Sequence, residues 1–347
     1  MAGALALLDA MIVSASHASR LAPSAAPRVA ASSAAHPIPL FDMANLLDSM
    51  YEGTYNGKRA HEPDLARVLQ RAADAGVRDI LVTAGSLAES RRALALVRAL
   101  RGASPVRLAC TVGVHPTRCD EFDRAGADGS PPTTLDALLA VARDGMADGS
   151  VVAIGEIGLD FDRLHFCGEE AQRRGFGAQL RLARATGLPL FLHNRNTAGA
   201  FAALMRAHVA AAPGAAAGVV HSFDGDAAEL AELVGLGLHI GINGCSMRTD
   251  DNLRVAAAVP LDRLLIETDA PWCQVRPTHA GHAHVATRFA EVKKEAWRAD
   301  SCVQARNEPC HVVQVLEVLA AARAEPIAEL GAAVYANARR LFYPSDA

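Results

Sequence analysis

The sequence lacks an excess of positive charge: 34 Lys and Arg stand against 38 Asp and Glu, a formal net charge of -4. A whole-protein field that gathers polyanions is thereby excluded, so any contact with nucleic acid has to come from a local basic patch. Aromatic residues are few, 5% of the chain. No apolar run approaches the ~20 residues that a membrane helix needs, so no membrane span and no membrane partner are expected. The seven cysteines (Cys110, Cys119, Cys167, Cys245, Cys273, Cys302, Cys310) are scattered, odd in number and without CxxC spacing. That pattern excludes a disulfide framework or a Cys-rich zinc site and fits a reducing, intracellular compartment, cytoplasmic or nuclear. What the chain has in quantity is apolar residues, 51%, with Ala dominating helical stretches, as suits helix-rich α/β architecture.

Residues 1–36 are Ala/Ser-rich, with Arg20 and Arg28 and only Asp9 as acid. They read as an extension, disordered or targeting; mitochondrial import is one reading, and Asp9 and the sparse Arg weigh against it. The remainder, 37–347, reads as one domain. Apolar runs at 40–47, 78–83, 106–114, 151–157, 189–192, 218–220, 238–242 and 263–267 have strand character. Helical patterns separate them, at 63–75, from the cap Ser86 onward, and at 134–146, 169–186, 197–209, 227–236 and 251–258. Eight strand-then-helix units with parallel crossovers predict a (β/α)8 TIM barrel. A long segment without alternation, 271–309, follows the eighth strand and is expected over the barrel's C-terminal face. A helix from Cys310, broken at Pro326, and a last helix to about residue 341 close the chain.

His115, Glu156, His193, His221 and Asp269 each stand where a buried run stops, after strands three, four, five, six and eight. A lone Glu156 is equally well explained by hydrogen bonds to neighbouring backbone, and a lone His by core packing. Five ionisable residues at corresponding ends converge on the face where barrel enzymes keep their chemistry. Two imidazoles with two carboxylates suit Zn²⁺ or Mn²⁺ and also admit Mg²⁺. Such a site supports metal-assisted hydrolysis, with Glu156 and Asp269 the candidates to orient or deprotonate the water; a second ion would let it clamp both oxygens of a phosphoryl displacement.

The segments AIGEIGLDFDR, LFLHNRN, VVHSFDG, IGINGCS and LLIETDAPW, with GVHPTRC upstream and RNEPCH downstream, resemble the TatD family of metal-dependent deoxyribonucleases, in particular its eukaryotic branch. The resemblance spans about residues 41–342. It implies a barrel hydrolase that degrades DNA with divalent metal, chiefly as a 3′-to-5′ exonuclease in DNA repair or degradation. It also implies metal ligation by Glu156, His193, His221 and Asp269, and a phosphate or water contact for His115. Many relatives carry an HxH pair after strand one; here that place reads FDMANLLD, with Asp42 and Asn45. The branch resembled here has Asn there too, with an Asp-to-Asn spacing one residue longer. Up to two ions are therefore expected, the second weakly held.

For the DNA partner, Arg118 and Arg195 are placed to fork onto phosphates. Arg276, Arg288, Lys293, Lys294, Arg298 and Arg306 of the 271–309 segment, with Trp297 among them, fit a groove that tracks a backbone. Trp272 reads either as a stacking platform or as core, and the trio His279, His282 and His284 as a solvated loop or a stray metal site. The rival functions are a small-molecule amidohydrolase on the same barrel and a catalytically idle barrel. A monomer is expected.

Overall fold

The computed structural model describes residues 38–124, 133–212 and 217–344; the Ala/Ser-rich extension lies outside them. Eight strands, β1 (Leu40–Ala44), β2 (Val77–Val82), β3 (Arg107–Val112), β4 (Val151–Asp160), β5 (Leu190–Arg195), β6 (Gly218–Val220), β7 (His239–Ile242) and β8 (Leu264–Ile266), form one sheet in chain order. Every neighbouring pair in that order is parallel. The seam between β8 and β1 closes without a regular ladder. Asp269 N donates to Met43 O at 3.1 Å and Asn45 N to Ala270 O at 2.8 Å. The buried Asp42 carboxylate spans the same seam, accepting from Thr268 N at 2.6 Å and Thr268 Oγ1 at 2.8 Å. The chain is a (β/α)8 barrel.

Helices α1 (Leu65–Asp74), α2 (Leu87–Leu100), α3 (Thr134–Met146), α4 (Glu169–Thr186), α5 (Ala200–Ala211), α6 (Ala227–Gly235) and α7 (Asp250–Ala257) lie between strands, and α8 (Val312–Arg323) and α9 (Ile327–Phe342) follow the barrel. Ser86 caps α2 by accepting from Glu89 N at 3.1 Å, and Gly187 ends α4 in the left-handed region that glycine adopts without strain. Along each strand, successive residues serve two different cores. Leu40, Ile80, Cys110, Ile154, Leu190, Val220 and Leu264 pack outward under the helices. Phe41, Leu81, Ala109, Ala153, Phe191, Val219 and Leu265 face a smaller inner cluster, completed by Leu341, Phe342 and Tyr343 at the end of α9. Phe41 stacks on Phe342, ring centroids 5.5 Å apart.

Two strands run beyond the ends expected of them. Ile157, Gly158, Leu159 and Asp160 of β4 keep pairing with Leu192, His193, Asn194 and Arg195 of β5, after a register shift between Ile154 and Ile157. Glu156 therefore sits inside a strand, at its irregularity, rather than after it. The two backbones approach so closely that a Cβ at Gly158 would overlap the His193 carbonyl.

The 271–309 segment meets the barrel mouth at its two ends, while its middle runs down the flank. Asn307 Nδ2 donates to Thr268 O at 2.9 Å and Trp272 O at 2.7 Å, at the exit of β8. The amides of Ala286 and Thr287 donate to Glu317 of α8, and Arg71 of α1 donates to Ala299 O at 3.1 Å. Within it, Glu291–Val292 and Cys302–Val303 pair as a short parallel ribbon. Its last turn is anchored by a buried ionic cluster: Arg306 grips Asp64 through both terminal nitrogens, at 2.8 and 2.7 Å, and reaches Glu308 at 2.7 Å. Arg71 holds the other Glu308 oxygen at 2.8 Å. Burial of that many charges is tolerable because each is matched and hydrogen-bonded.

Candidate metal centre

One carboxylate oxygen organises the barrel mouth. Glu156 Oε1, placed by the β4 irregularity, lies 2.8 Å from His221 Nε2, 2.9 Å from His193 Nδ1 and 3.3 Å from His115 Nε2. The two imidazole nitrogens of His193 and His221 are themselves 3.3 Å apart. His193 stands within β5 rather than after it, and His221 is the residue after β6. His115 comes from the turn after β3, where it caps Pro116–Phe122 by accepting from Thr117 N at 3.2 Å.

A further set of side chains aims these rings. Asp160 Oδ2 lies 3.2 Å from His193 Nε2; with a cation at the Glu156 oxygen, that nitrogen would carry the N–H and Nδ1 would be the lone-pair end. Asp160 is in turn held by its own turn, its Oδ1 accepting from Asp162 N at 3.1 Å. His221 Nδ1 faces Glu267 Oε1 at 3.7 Å, and Phe191 packs against the ring with centroids 4.6 Å apart. Glu267 Oε1 accepts from Ser222 N at 2.5 Å and Asn243 Nδ2 at 3.3 Å.

The electrostatics ask for positive charge at this point. Burial opposes it, yet the His221 and His115 imidazoles hold the Glu156 carboxyl well below the usual carboxylate range. Against burial too, Asp160 and Glu156 raise His193, and Glu156 and Glu267 raise His221. With His193 Nε2 facing Asp160, ring nitrogens of two imidazoles converge on one anionic oxygen. This donor set fits a divalent cation, which would take the place of shared protons among them.

Asp269 lies at the exit of β8 with φ 50, a left-handed conformation that Asp tolerates. Its Oδ2 is 3.3 Å from Cys273 Sγ and 3.5 Å from Ser222 Oγ. Burial pushes its pKa up to about 7, with the nearby His221 lowering it and Glu267 and Glu156 raising it. The structure thus brings Glu156, His193, His221 and His115 into direct contact and leaves Asp269 beside them. His115, read from the sequence as a phosphate or water contact, touches the shared carboxylate itself. Asp42 is spent on Thr268, and Asn45 on the Leu47 amide at 3.0 Å.

Arg118 and Arg195 are half-buried to exposed and each is paired with an acid, Glu89 and Asp162 respectively. Trp272 is 51% exposed, which decides against the core reading. The expectation that Arg306 contacts DNA is corrected: it is fully buried, with its terminal nitrogens occupied by Asp64 and Glu308. Trp297 likewise is built in, donating to Asp64 at 3.0 Å and stacking on His61. Donor atoms of His279, His282 and His284 do not converge on one point. A second convergent set, Cys302, Cys310 and His311, is buried at the start of α8. There His311 Nδ1 accepts from Glu308 N at 3.0 Å, so a neutral ring keeps its proton on Nε2 and has no lone pair left for a metal. Sequence reading missed Asp160 and Glu267, although both stand inside the quoted motifs. It also missed Phe166, 61% exposed in the turn after β4 with its ring centroid 4.2 Å from that of His165.

Residues 50–343 match the model of the family described as TatD related DNase. Deoxyribonuclease Tat-D of Schizosaccharomyces pombe is 38% identical over 299 residues, 86% of this chain and 93% of the relative. The chain belongs to the TatD-related DNase family. Another relative, the 3′-5′ ssDNA/RNA exonuclease TatD of Erwinia tasmaniensis, is 36% identical over 80% of this chain and 93% of its own length. Among solved structures, a hydrolase TatD family protein from Entamoeba histolytica superposes with TM-score 0.82 at 33% identity, covering 89% of this chain and all of that one. Among the described residues of this TatD-family chain, no helix is long and apolar enough to cross a membrane.

Proposed function

We propose that the protein is a metal-dependent deoxyribonuclease that hydrolyses DNA phosphodiester bonds from the 3′ end. The observation that carries this reading is the convergence of His115, His193 and His221 on one oxygen of Glu156 at the mouth of a TatD-family barrel. The family favours a phosphodiester over the small-molecule bonds of an amidohydrolase, and the intact donor set argues against an idle barrel.

Glu156, His193, His221 and Asp269 would hold the metal. Magnesium, manganese and zinc all suit this mixed nitrogen and oxygen set. A bound divalent ion supplies Lewis acidity at the phosphoryl oxygen and lowers the pKa of water. Asp269, beside the shared carboxylate at the exit of β8, is placed to orient or deprotonate the attacking water. His115 borders the same oxygen and is placed to meet a phosphate oxygen. Arg118 and Arg195 supply positive charge at the rim, and Trp272 and Phe166 offer exposed rings to unstacked bases. Cysteines without a framework support an intracellular setting.

The deciding experiment incubates purified protein with 3′- and 5′-labelled single- and double-stranded DNA, and with RNA of the same sequence. Mg²⁺, Mn²⁺ or Zn²⁺ is added in turn, with EDTA as control. Stepwise shortening from the 3′ end that stops in EDTA and is lost in Glu156→Ala and Asp269→Ala is the expected result. No nucleotide release with any of the three metals would overturn the reading.

A further inference from the structure

We propose that Cys245 and Cys273 are a redox-closable pair whose disulfide shuts down the metal centre; the effect on turnover rests on the nuclease reading, while the modification itself does not. Of the seven cysteines, five are buried and only these two are partly open to solvent. They come from different loops, Cys245 from the turn after β7 (Gly244–Met247) and Cys273 from the chain after β8. Their sulfurs nevertheless lie 3.0 Å apart, inside ordinary van der Waals separation. The backbones are in contact as well: a Cβ on Gly244 would overlap the Cys273 carbonyl and come within 2.7 Å of Val275 N. A disulfide has its sulfurs about 2.05 Å apart, so closure asks for a sulfur approach of only about 1 Å more.

The same Cys273 sulfur is 3.3 Å from Asp269 Oδ2. Forming the bond therefore draws Cys273 toward Cys245, removes its S–H from Asp269, and ties the Asp269 loop to the Asn243 turn. Asn243 itself donates to Glu267, the carboxylate facing His221, and to Ser222 Oγ. Both elements that the disulfide would join thus reach the candidate ligands. Cys273 keeps its S–H on Asp269 Oδ2, whereas Cys245 stands beside the guanidinium of Arg248, which makes Cys245 the attacking sulfur.

The chemistry balances with a low-molecular-weight disulfide such as oxidised glutathione as oxidant. Cys245 thiolate attacks one glutathione sulfur, breaking that S–S bond and releasing one glutathione thiolate, which takes up the proton lost by Cys245. Cys273 thiolate then attacks Cys245 Sγ in the mixed disulfide, and the second glutathione leaves as thiolate and takes up the Cys273 proton. Two protein thiols are oxidised and one glutathione disulfide is reduced to two thiols.

The test treats full-length protein with a series of reduced and oxidised glutathione mixtures, then reads intact mass, peptide mapping, Mn²⁺ affinity and nuclease rate from the same samples. The expected result is a species lighter by two hydrogens, with a peptide linking Cys245 to Cys273, Mn²⁺ affinity and rate each lower by at least about tenfold, and full recovery with dithiothreitol. Cys245→Ser retains the reduced protein's rate and metal affinity and does not form the linked peptide. Absence of that peptide at oxidising ratios overturns the proposal, whatever the nuclease assay gives. A linked peptide with unchanged Mn²⁺ affinity overturns the coupling to the site. If the reduced protein shows no nuclease activity at all, it is the functional reading that fails, and the mass and affinity readouts still judge the pair.

Discussion

Asp160 Oδ2 lies 3.2 Å from His193 Nε2, and this contact determines which nitrogen of His193 faces Glu156 and His221. Removing it frees the ring to turn and to place a proton on the wrong end. Asp160→Ala is expected to weaken Mn²⁺ binding by roughly 10–100-fold, as is usual when an outer carboxylate partner is lost. Calorimetric titration of the variant checks this; wild-type affinity would show that packing alone orients His193.

Glu156 makes the three contacts that hold the histidines together, so its neutralisation should cost more. Glu156→Gln is expected to lower the nuclease rate by more than about 100-fold, beyond the loss of an outer partner. Circular dichroism should show the barrel retained, because the residue sits at an irregularity of β4 and its own apolar neighbours Ile154 and Ile157 stay buried. Loss of the folded signal together with the activity would make Glu156 structural instead.

Acid should weaken the anchor of the long segment. Burial opposes ionisation of Glu308, but Arg71 and Arg306 hold its carboxyl below its ordinary value of 4.5. Because the folded-state value is depressed, this contribution is complete above pH 4.5 and is lost as pH falls below it through the folded value. Urea midpoints measured from about pH 6 down to about pH 3 should therefore fall more steeply in the wild type than in Arg306→Ala. At neutral pH that variant should be less stable by about 3–5 kcal/mol, since it leaves Asp64 and part of Glu308 buried without their partner. Its intrinsic affinity for DNA in the folded state should not change.

Exposed aromatic rings on two loops should carry much of the affinity for unpaired strands. Phe166→Ala and Trp272→Ala are each expected to weaken binding of a single-stranded oligonucleotide by about 1–3 kcal/mol. Fluorescence anisotropy with a catalytically silent background, Glu156→Gln, provides the measurement. Equal loss on blunt duplex would count against base stacking.

Arg195 spends its Nε on Asp162 and keeps the guanidinium at the rim. Arg195→Ala should reduce the slope of log affinity against log salt by about one, uniformly across sequences. A slope equal to that of the wild type would remove it from the DNA path.

The site residues were legible because the apolar runs stop at ionisable residues, and His115, His193 and His221 were found that way, although β5 itself continues past His193. The periodicity that marks a strand has no sign for a register shift, so Glu156 read as the residue after β4 and not as one within it. Arg306 shows the other limit. Its basic neighbours in the sequence promise an exposed patch, whereas its fate is decided by Asp64, 242 residues earlier, which no local pattern connects to it. Trp297 is tied down by the same distant acid. Phe166 was passed over because one aromatic in a turn has no period, and its exposure is a property of the fold alone.

The irregular seam between β8 and β1 has a consequence for how such an enzyme comes into being on the ribosome. Asp269 is fixed by a bond to Met43, so the final candidate ligand is seated only when the beginning of the barrel meets its end. A nascent chain stopped before β8 carries His115, Glu156, His193 and His221 but no closed mouth in which to use them. Nuclease chemistry would then be withheld from unfinished copies by topology, with no inhibitor required.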